Sequence, residues 1–189
     1  KSGSYYPIRV FKDLPTDPLN SITTSLAKLQ EGEGAVIQIL VAPADKGWQG
    51  AGKSFLSSTK KKGADPDTAS YGVDQKTYEA VDSKITKPGF NTSIRIVVSS
   101  SSKAQADMHL KNIVGTFAQF SSTHNGFTKA KVRLKQLFMI DFIYRYQPLL
   151  KRGMSVLSSE ELATVFHFPN KMVETPHIYW LNAKRAPAS

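Results

Sequence analysis

The hydrophobic positions of this chain fall into segments with strand alternation and segments with helical spacing. Residues 5–11 alternate apolar and polar side chains, which predicts a half-buried strand, and Pro7 favours a sheet edge or a strand start. Asp17 followed by Pro18 is typical of a helix opening, and apolar residues then recur at helical spacing. Residues 35–42 are almost wholly apolar and rich in β-branched side chains, which predicts a central strand.

The second half of the chain repeats this order of elements. Residues 43–91 interrupt it and read as an insertion with two helical stretches and a polar loop. Residues 92–99 alternate clearly and predict a strand, and residues 102–121 predict a helix that begins with a capping box. Residues 127–135 alternate again and predict another strand. Residues 137–146 are apolar and aromatic and fit either a strand or a helix.

Two strand–helix–strand halves predict an α+β fold. We expect a ferredoxin-like split β-α-β sandwich, in which a mixed or antiparallel sheet is backed by helices. This domain is expected to span residues 1–150 and to include the insertion at about 43–91. Residues 151–189 are expected to add a capped helix and a linker. Because the sequence begins at Lys1 and ends in Arg-Ala-Pro-Ala-Ser, we expect both of its ends to be cuts in a longer protein.

Composition narrows the function classes. The 189 residues carry a formal net charge of +10, which favours a polyanionic partner such as DNA, RNA or an anionic membrane face. Cysteine is absent, so thiolate and disulfide chemistry are excluded for this sequence. The four histidines do not have the spacing of metal ligands, and no metal site is predicted. No apolar run reaches the roughly 18–20 residues of a membrane helix.

A glycine-rich segment offers one route to catalysis. Residues 47–54, GWQGAGKS, match the phosphate-binding pattern GxxxxGK[ST], and a later apolar run ends in an aspartate that could hold Mg²⁺. The residues of this alternative nucleotide site are Gly47, Gly52, Lys53, Ser54 and Asp141. Four residues separate the predicted strand from the motif, however, whereas a phosphate-binding loop follows its strand immediately. The plainer interpretation is a glycine-rich turn anchored by a buried Trp48.

A row of cations offers a second candidate site. Alternate positions of the predicted strand at 127–135 are basic, and they are Lys129, Lys131, Arg133 and Lys135. Such a spaced row could meet nucleic-acid phosphates. The plainer interpretation is the solvent face of an edge strand, where lysines also discourage aggregation.

The strongest local signal lies near the end of the sequence. In residues 156–169, VLSSEELATVFHFP, Ser158 and Glu161 have the spacing of a capping box. Leu157 and Leu162 flank that box as a hydrophobic staple, and Pro169 is expected to end the helix or to follow its end.

The same segment carries a resemblance to a known family. Residues 157–170, LSSEELATVFHFPN, together with TPHIYWLNAKRAPA at 175–188, resemble a segment of DNA-translocating ATPases of the HerA–FtsK superfamily, which include conjugative and type IV secretion ATPases. Residues 17–43 and 87–100 agree with it, in the same order. In that family the segment lies between a non-catalytic N-terminal domain and the motor.

The resemblance implies a function without catalysis in this part of the protein. The chain would be the N-terminal domain of a hexameric ATPase, with ATP and Mg²⁺ bound by a following motor domain and no cofactor bound here. Its expected partners are that ATPase domain, other subunits, a membrane secretion complex and DNA, on the cytoplasmic side. Residues 170–189 would form the tether. The residues expected to dock on the motor are Leu157, Leu162, Phe166, Phe168 and Trp180.

Overall fold

The computed structural model describes residues 3–63, 75–148 and 154–168. The strands are β1 (Gly34–Pro43), β2 (Gly89–Ser99) and β3 (Ser155–Ser158). The α-helices are α1 (Pro18–Leu26), α2 (Gly47–Gly63), α3 (Gln75–Ile85), α4 (Lys103–Thr116), α5 (Lys135–Ile143) and α6 (Ser159–Val165). Two 3₁₀ turns, Phe11–Asp13 and Phe117–Phe120, complete the described elements.

The strands form one antiparallel sheet in the order β1-β2-β3. The long β1–β2 pairing runs from Gly34 opposite Ser99 to Pro43 opposite Phe90. The short strand β3 pairs with the start of β2, where Gly89 lies opposite Ser158. The fold class is therefore α+β, as predicted from the sequence.

Two hydrophobic clusters stabilise the domain. The larger cluster joins one face of the sheet to α1, α6 and the second 3₁₀ turn, with Phe120 fully buried and Ile37 and Ile94 packed against it. The smaller cluster lies between α2 and α3 around Trp48 and Val81. Burial of these apolar side chains supplies the main favourable term in folding.

Most predicted helices form at the expected places. The Asp17 carboxylate accepts a hydrogen bond from the Leu19 amide at 2.8 Å and Pro18 opens α1, so both predicted signals act at this helix start. Ser102 caps α4 by accepting from the Gln105 amide. Within the ambiguous segment at 137–146, residues 137–143 are helical and belong to α5, and residues 144–146 follow the helix end.

The predicted strand at 5–11 is wrong. Its backbone amides bind other partners: Ile8 donates to the Glu161 carboxylate, Phe11 donates to the Thr164 hydroxyl, and Arg9 donates to the Phe120 carbonyl. The alternating pattern still predicted a buried side chain correctly, because Ile8 lies in the larger cluster. Side-chain acceptors on α6 and a turn carbonyl thus replace the sheet partner that the pattern predicted.

The predicted strand at 127–135 is also wrong. Residues 127–134 are irregular, the described sheet does not include them, and positions 128–137 are all exposed. The first and last strands of the ferredoxin-like arrangement are therefore missing from the described residues. In their place, β3 adds to the other edge of β2, and its four residues gave no recognisable pattern of their own.

Two further boundaries differ from the prediction. The strand predicted to be central, β1, is an edge of the described sheet, and β2 is the central strand. Helix α2 continues through the lysine-rich stretch to Gly63, where the composition predicted a polar loop. The rest of that predicted loop, residues 64–72, lies outside the described residues, as does the predicted tether at 170–189.

Candidate functional site: a buried charge network and an exposed apolar surface

The predicted capping box at the start of α6 forms, and its glutamate does more than cap the helix. The Ser158 hydroxyl accepts from the Glu161 amide, while the Glu161 carboxylate accepts from the Ser158 amide at 2.7 Å. The other oxygen of that carboxylate accepts from the Ile8 amide at 2.7 Å. Glu161 therefore fixes both the start of α6 and the N-terminal segment, which is distant in sequence.

Lys84 on α3 completes this network. Its ammonium lies 3.0 Å from the Glu161 carboxylate, and the two side chains are only 2% and 1% exposed. Its other hydrogen bonds go to the Tyr6 and Val156 carbonyls, both at 3.0 Å. Burial lowers the pKa of Lys84, and the Glu161 charge opposes that shift. Three donors meet three acceptors, so this buried pair is fully satisfied and joins α3, β3, α6 and the N-terminal segment.

The neighbouring Glu160 lies nearer the surface and binds two lysines. Lys12 is 2.8 Å from one carboxylate oxygen, and Lys87 pairs with the other. Hydrogen bonds from Lys12 and then Lys87 lower the pKa of Glu160. Together with the Thr164 hydroxyl, which accepts from the Phe11 amide, these contacts tie both turns of α6 to the rest of the domain.

The residues expected to dock on a motor domain separate into two groups. Leu157 is buried and Leu162 packs against the larger cluster, so both belong to the core of this domain and are not free to bind another. Phe166 and Phe168 are exposed, Phe168 to 88%, and their rings lie 6.2 Å apart. Trp180 lies outside the described residues.

Residues 47–54 do not form a phosphate-binding loop in the structure. Helix α2 begins at Gly47, the Gly50 amide donates to the Lys46 carbonyl, and the Asp45 carboxylate accepts from the Gly47 amide. A β-carbon at Gly52 would lie 2.6 Å from Ile85, so this glycine permits close packing of α2 on α3.

The other residues of the alternative nucleotide site do not gather around a common point. Lys53 and Ser54 are exposed on α2, and Lys53 lines a groove toward α3 with Asp82 and Tyr78. Asp141 lies on α5, where its backbone carbonyl accepts from Arg95. The buried Trp48 packs against Gly89, as the plainer interpretation predicted, although the segment is a helix and not a turn. This geometry gives no support to nucleotide binding.

The predicted cationic row lies on a different kind of structure from the one expected. Lys129, Lys131, Arg133 and Lys135 are all exposed on the irregular segment 128–134 and the first turn of α5. We call residues 128–146 the arm-helix surface. The described part of the chain exposes fourteen large hydrophobic side chains, and eight of them lie on this surface: Val132, Leu134, Leu137, Met139, Ile140, Ile143, Tyr144 and Tyr146.

Polar contacts hold this surface to the sheet. The Arg95 guanidinium on β2 donates to the Asp141 carbonyl at 2.9 Å and to the Tyr146 carbonyl at 2.6 Å. Gln38 on β1 donates to the Phe142 carbonyl at 3.0 Å and accepts from Arg95. The Asp141 carbonyl also accepts from the Tyr146 amide and the Phe142 carbonyl from the Arg145 amide, so the sheet adds hydrogen bonds to the turn that ends α5.

Sequence reasoning missed Lys84, which pairs with Glu161 in the buried network, and Arg95, which holds the arm-helix surface to the sheet. One signal was present for Arg95, since it is the single charged residue within the apolar strand segment 94–98. A charge at such a position is rare unless it is paired.

Within the described ranges, no helix is both long and apolar enough to cross a membrane. The same part of the chain contains no cluster of three acidic or histidine side chains able to hold a metal ion. His167 contacts the Ala163 carbonyl and the Asp17 carboxylate, the latter at 3.1 Å. It thereby connects the end of α6 to the start of α1.

The fold, the buried network and the arm-helix surface together define a class of protein. It is an α+β domain whose charged network is structural and whose exposed apolar side chains are concentrated on one segment. Comparison with protein families identifies the family of the chain. The family described as Domain of unknown function (DUF8128) matches residues 1–181, and the chain belongs to that family. No curated protein and no solved structure matches it.

Proposed function

We propose that this domain is the non-catalytic N-terminal domain of a DNA-translocating ATPase of the type IV secretion or conjugation kind. Its role is assembly and docking, on the cytoplasmic side of a membrane secretion complex. Support comes from the resemblance of residues 157–170 and 175–188 to the segment that precedes the motor in the HerA–FtsK superfamily. The ATPase domain, with its ATP and Mg²⁺, and other subunits of a hexamer are the proposed partners.

One observation carries the proposal. The segment with the resemblance is not a loose connection: Leu157, Ser158 and Glu161 are buried in this domain, and Phe166 and Phe168 follow them on the surface. A segment that is rigid in one domain and ends in exposed aromatic side chains is well suited to orient a neighbour, because aromatic residues are common anchors of protein interfaces.

The proposal is tested on the natural gene product. Its reading frame is expected to continue past Ser189 into a phosphate-binding ATPase domain, and the purified protein is expected to hydrolyse ATP in response to DNA. Lys53→Ala should leave that activity unchanged, because residues 47–54 form a helix. A frame without such a domain contradicts the proposal. Loss of nucleotide binding in Lys53→Ala would instead favour the alternative of a small P-loop NTPase.

The docking role has its own experiment. Phe166→Ser combined with Phe168→Ser should lower the DNA-stimulated activity or the hexamer fraction of the full protein while the domain stays folded. Met108→Ser is a matched control, since Met108 is also an exposed apolar residue but lies on α4. Equal behaviour of the double variant and the control would show that these phenylalanines do not dock.

A second function, direct contact with DNA, is favoured by the cations of the arm-helix surface. It predicts binding whose affinity falls steeply with salt, with a slope set by the number of phosphates contacted. Replacing Lys129, Lys131, Arg133 and Lys135 with Gln should reduce that slope. Binding that is undetectable, or independent of salt, on both single- and double-stranded DNA would exclude it.

A further inference from the structure

The arm-helix surface has an unusual distribution of side chains. A helix as apolar as α5 is normally buried, yet none of its residues is buried here. Ile143 and Tyr144 are each 64% exposed and Leu134 is 65% exposed. A contiguous run of exposed aliphatic and aromatic side chains marks a place where something else binds.

The anchoring of α5 explains how such a helix stays outside the core. Arg95 and Gln38 hold backbone carbonyls of the helix end, so attachment to the sheet does not use its exposed aliphatic side chains. Both aromatic residues of α5, Phe138 and Phe142, are half-buried, with ring centroids 6.5 Å apart. The helix is therefore positioned by polar contacts while its aliphatic side chains remain in solvent.

The charge of this surface is strongly positive. It carries five cations, Lys129, Lys131, Arg133, Lys135 and Arg145, and a single carboxylate, Asp141. All five cations are exposed, and in the part of the chain that the structure describes none of them forms a salt bridge. The cations are thus free to meet negative charge on a partner.

We propose that the arm-helix surface is a peripheral membrane-binding element that inserts Leu137, Ile140 and Ile143 into an anionic bilayer surface. Lys and Arg side chains are attracted to anionic headgroups, tyrosines such as Tyr144 and Tyr146 suit the headgroup level, and aliphatic side chains enter the acyl boundary. A single partner of this kind accounts for the cations, the tyrosines and the aliphatic residues together.

Other occupants match only part of the surface. Nucleic acid would take the cations but leaves the exposed leucine, isoleucine and methionine side chains in water, because its backbone is charged. A second copy of the same surface would bring five cations against five like charges, which is repulsive. The membrane assignment names a partner for the docking role proposed above, but it does not depend on the presence of an ATPase domain.

Vesicle flotation tests the assignment with purified protein. We expect binding to phosphatidylcholine vesicles that contain phosphatidylglycerol and little binding to phosphatidylcholine alone. Replacing Lys129, Lys131, Arg133 and Lys135 with Gln should weaken partition about fivefold per cation. The matched control replaces four exposed lysines elsewhere, Lys28, Lys46, Lys103 and Lys111, and should retain most of the binding because these lie outside the arm-helix surface.

The apolar contribution has a separate readout. Leu137→Ser, Ile140→Ser and Ile143→Ser together should lower partition at least tenfold while leaving the charge unchanged. Because the chain has no cysteine, Ile140→Cys can carry an environment-sensitive fluorophore at one position. Its emission should shift to the blue on anionic vesicles, whereas the same label at Met108→Cys should not shift.

Several outcomes overturn the assignment. Absence of binding to either vesicle composition, or equal binding by the wild-type protein and both arm-helix variants, contradicts it. Tight DNA binding that the lysine variant loses, without vesicle binding, assigns the surface to nucleic acid. Sedimentation showing that the wild-type protein self-associates and the serine variant does not, again without vesicle binding, assigns it to a second copy. Circular dichroism confirms that each variant is folded, and the functional test of the ATPase domain is unaffected by any of these results.

Discussion

The Lys84–Glu161 network and the arm-helix surface reverse the usual placement of residues in opposite ways. In the network, two charged side chains are nearly fully buried and every donor has an acceptor. On the arm-helix surface, large apolar side chains are exposed beside unpaired cations. The first arrangement costs desolvation and stabilises only while intact, and the second leaves apolar area unburied until a partner covers it. The network therefore stabilises the fold, and the exposed side chains of the arm-helix surface support the proposal that this surface binds a partner.

The largest effect is expected from Glu161→Ala. It leaves the Lys84 ammonium buried without a counter-charge and removes the acceptor of the Ile8 and Ser158 amides. Breaking a buried pair by removing one partner costs about 3–5 kcal/mol. Urea denaturation should therefore show a large fall in the free energy of unfolding, while Glu31→Ala, an exposed glutamate, changes it little. Equal midpoints for the two variants would contradict the structural role of Glu161.

A second pair of variants sharpens the contrast between buried and exposed apolar residues. Leu157→Ala removes a side chain that is 1% exposed and should cost about 2–5 kcal/mol. Ile143→Ser alters a side chain that is mostly in solvent and should change stability by less than about 0.5 kcal/mol. Thermal or chemical unfolding measures both. A large loss in Ile143→Ser would mean that α5 is packed against this chain and is not available to a partner.

Arg95→Met tests how the exposed helix is held. The variant keeps much of the side-chain volume but loses the hydrogen bonds to the Asp141 and Tyr146 carbonyls. Loss of hydrogen bonds from a charged donor is expected to destabilise by about 2 kcal/mol. Faster amide exchange should appear first in residues 135–146, and Arg9→Met, at an exposed arginine, serves as the control. Unchanged exchange in that segment would show that Arg95 does not anchor it.

The pH dependence of Glu160 gives the smallest predicted effect. Its pKa is lowered in the folded protein by Lys12 and Lys87, so its stabilisation is present above the ordinary value of 4.5 and is lost as pH falls through the lowered pKa. Glu160→Gln should remove that part of the acid destabilisation, about 1 kcal/mol or less for a pair near the surface. Unfolding curves between pH 2 and 7 measure it. A variant with the same acid slope as the wild type would contradict the prediction.

The sequence predicted well wherever one local rule decided the structure. Asp17-Pro18 and the Ser158–Glu161 capping box depend on neighbours within one turn, and both form as expected. The apolar segments that became β1 and β2 were also identified, because their β-branched composition leaves few other options. The α+β class follows from these elements.

The remainder depends on contacts between distant residues. Residues 5–11 have a strand pattern, but two of their backbone amides donate to Glu161 and Thr164. Nothing in the sequence around residues 5–11 predicts those distant partners. Residues 127–135 alternate as a strand would, yet their alternation places cations and apolar residues on an exposed arm. Residues 47–54 match the sequence pattern of a phosphate-binding loop, but Gly52 is explained by its close packing against Ile85.

Hydrogen–deuterium exchange of the wild-type protein, with and without phosphatidylglycerol-containing vesicles, tests the central claim most directly. The network around Glu161 should exchange slowly in both conditions, because the intact fold protects it. New protection on vesicles should be confined to residues 128–146. Protection that appears elsewhere, or no change in that segment at saturating lipid, would contradict the assignment of binding to the arm-helix surface.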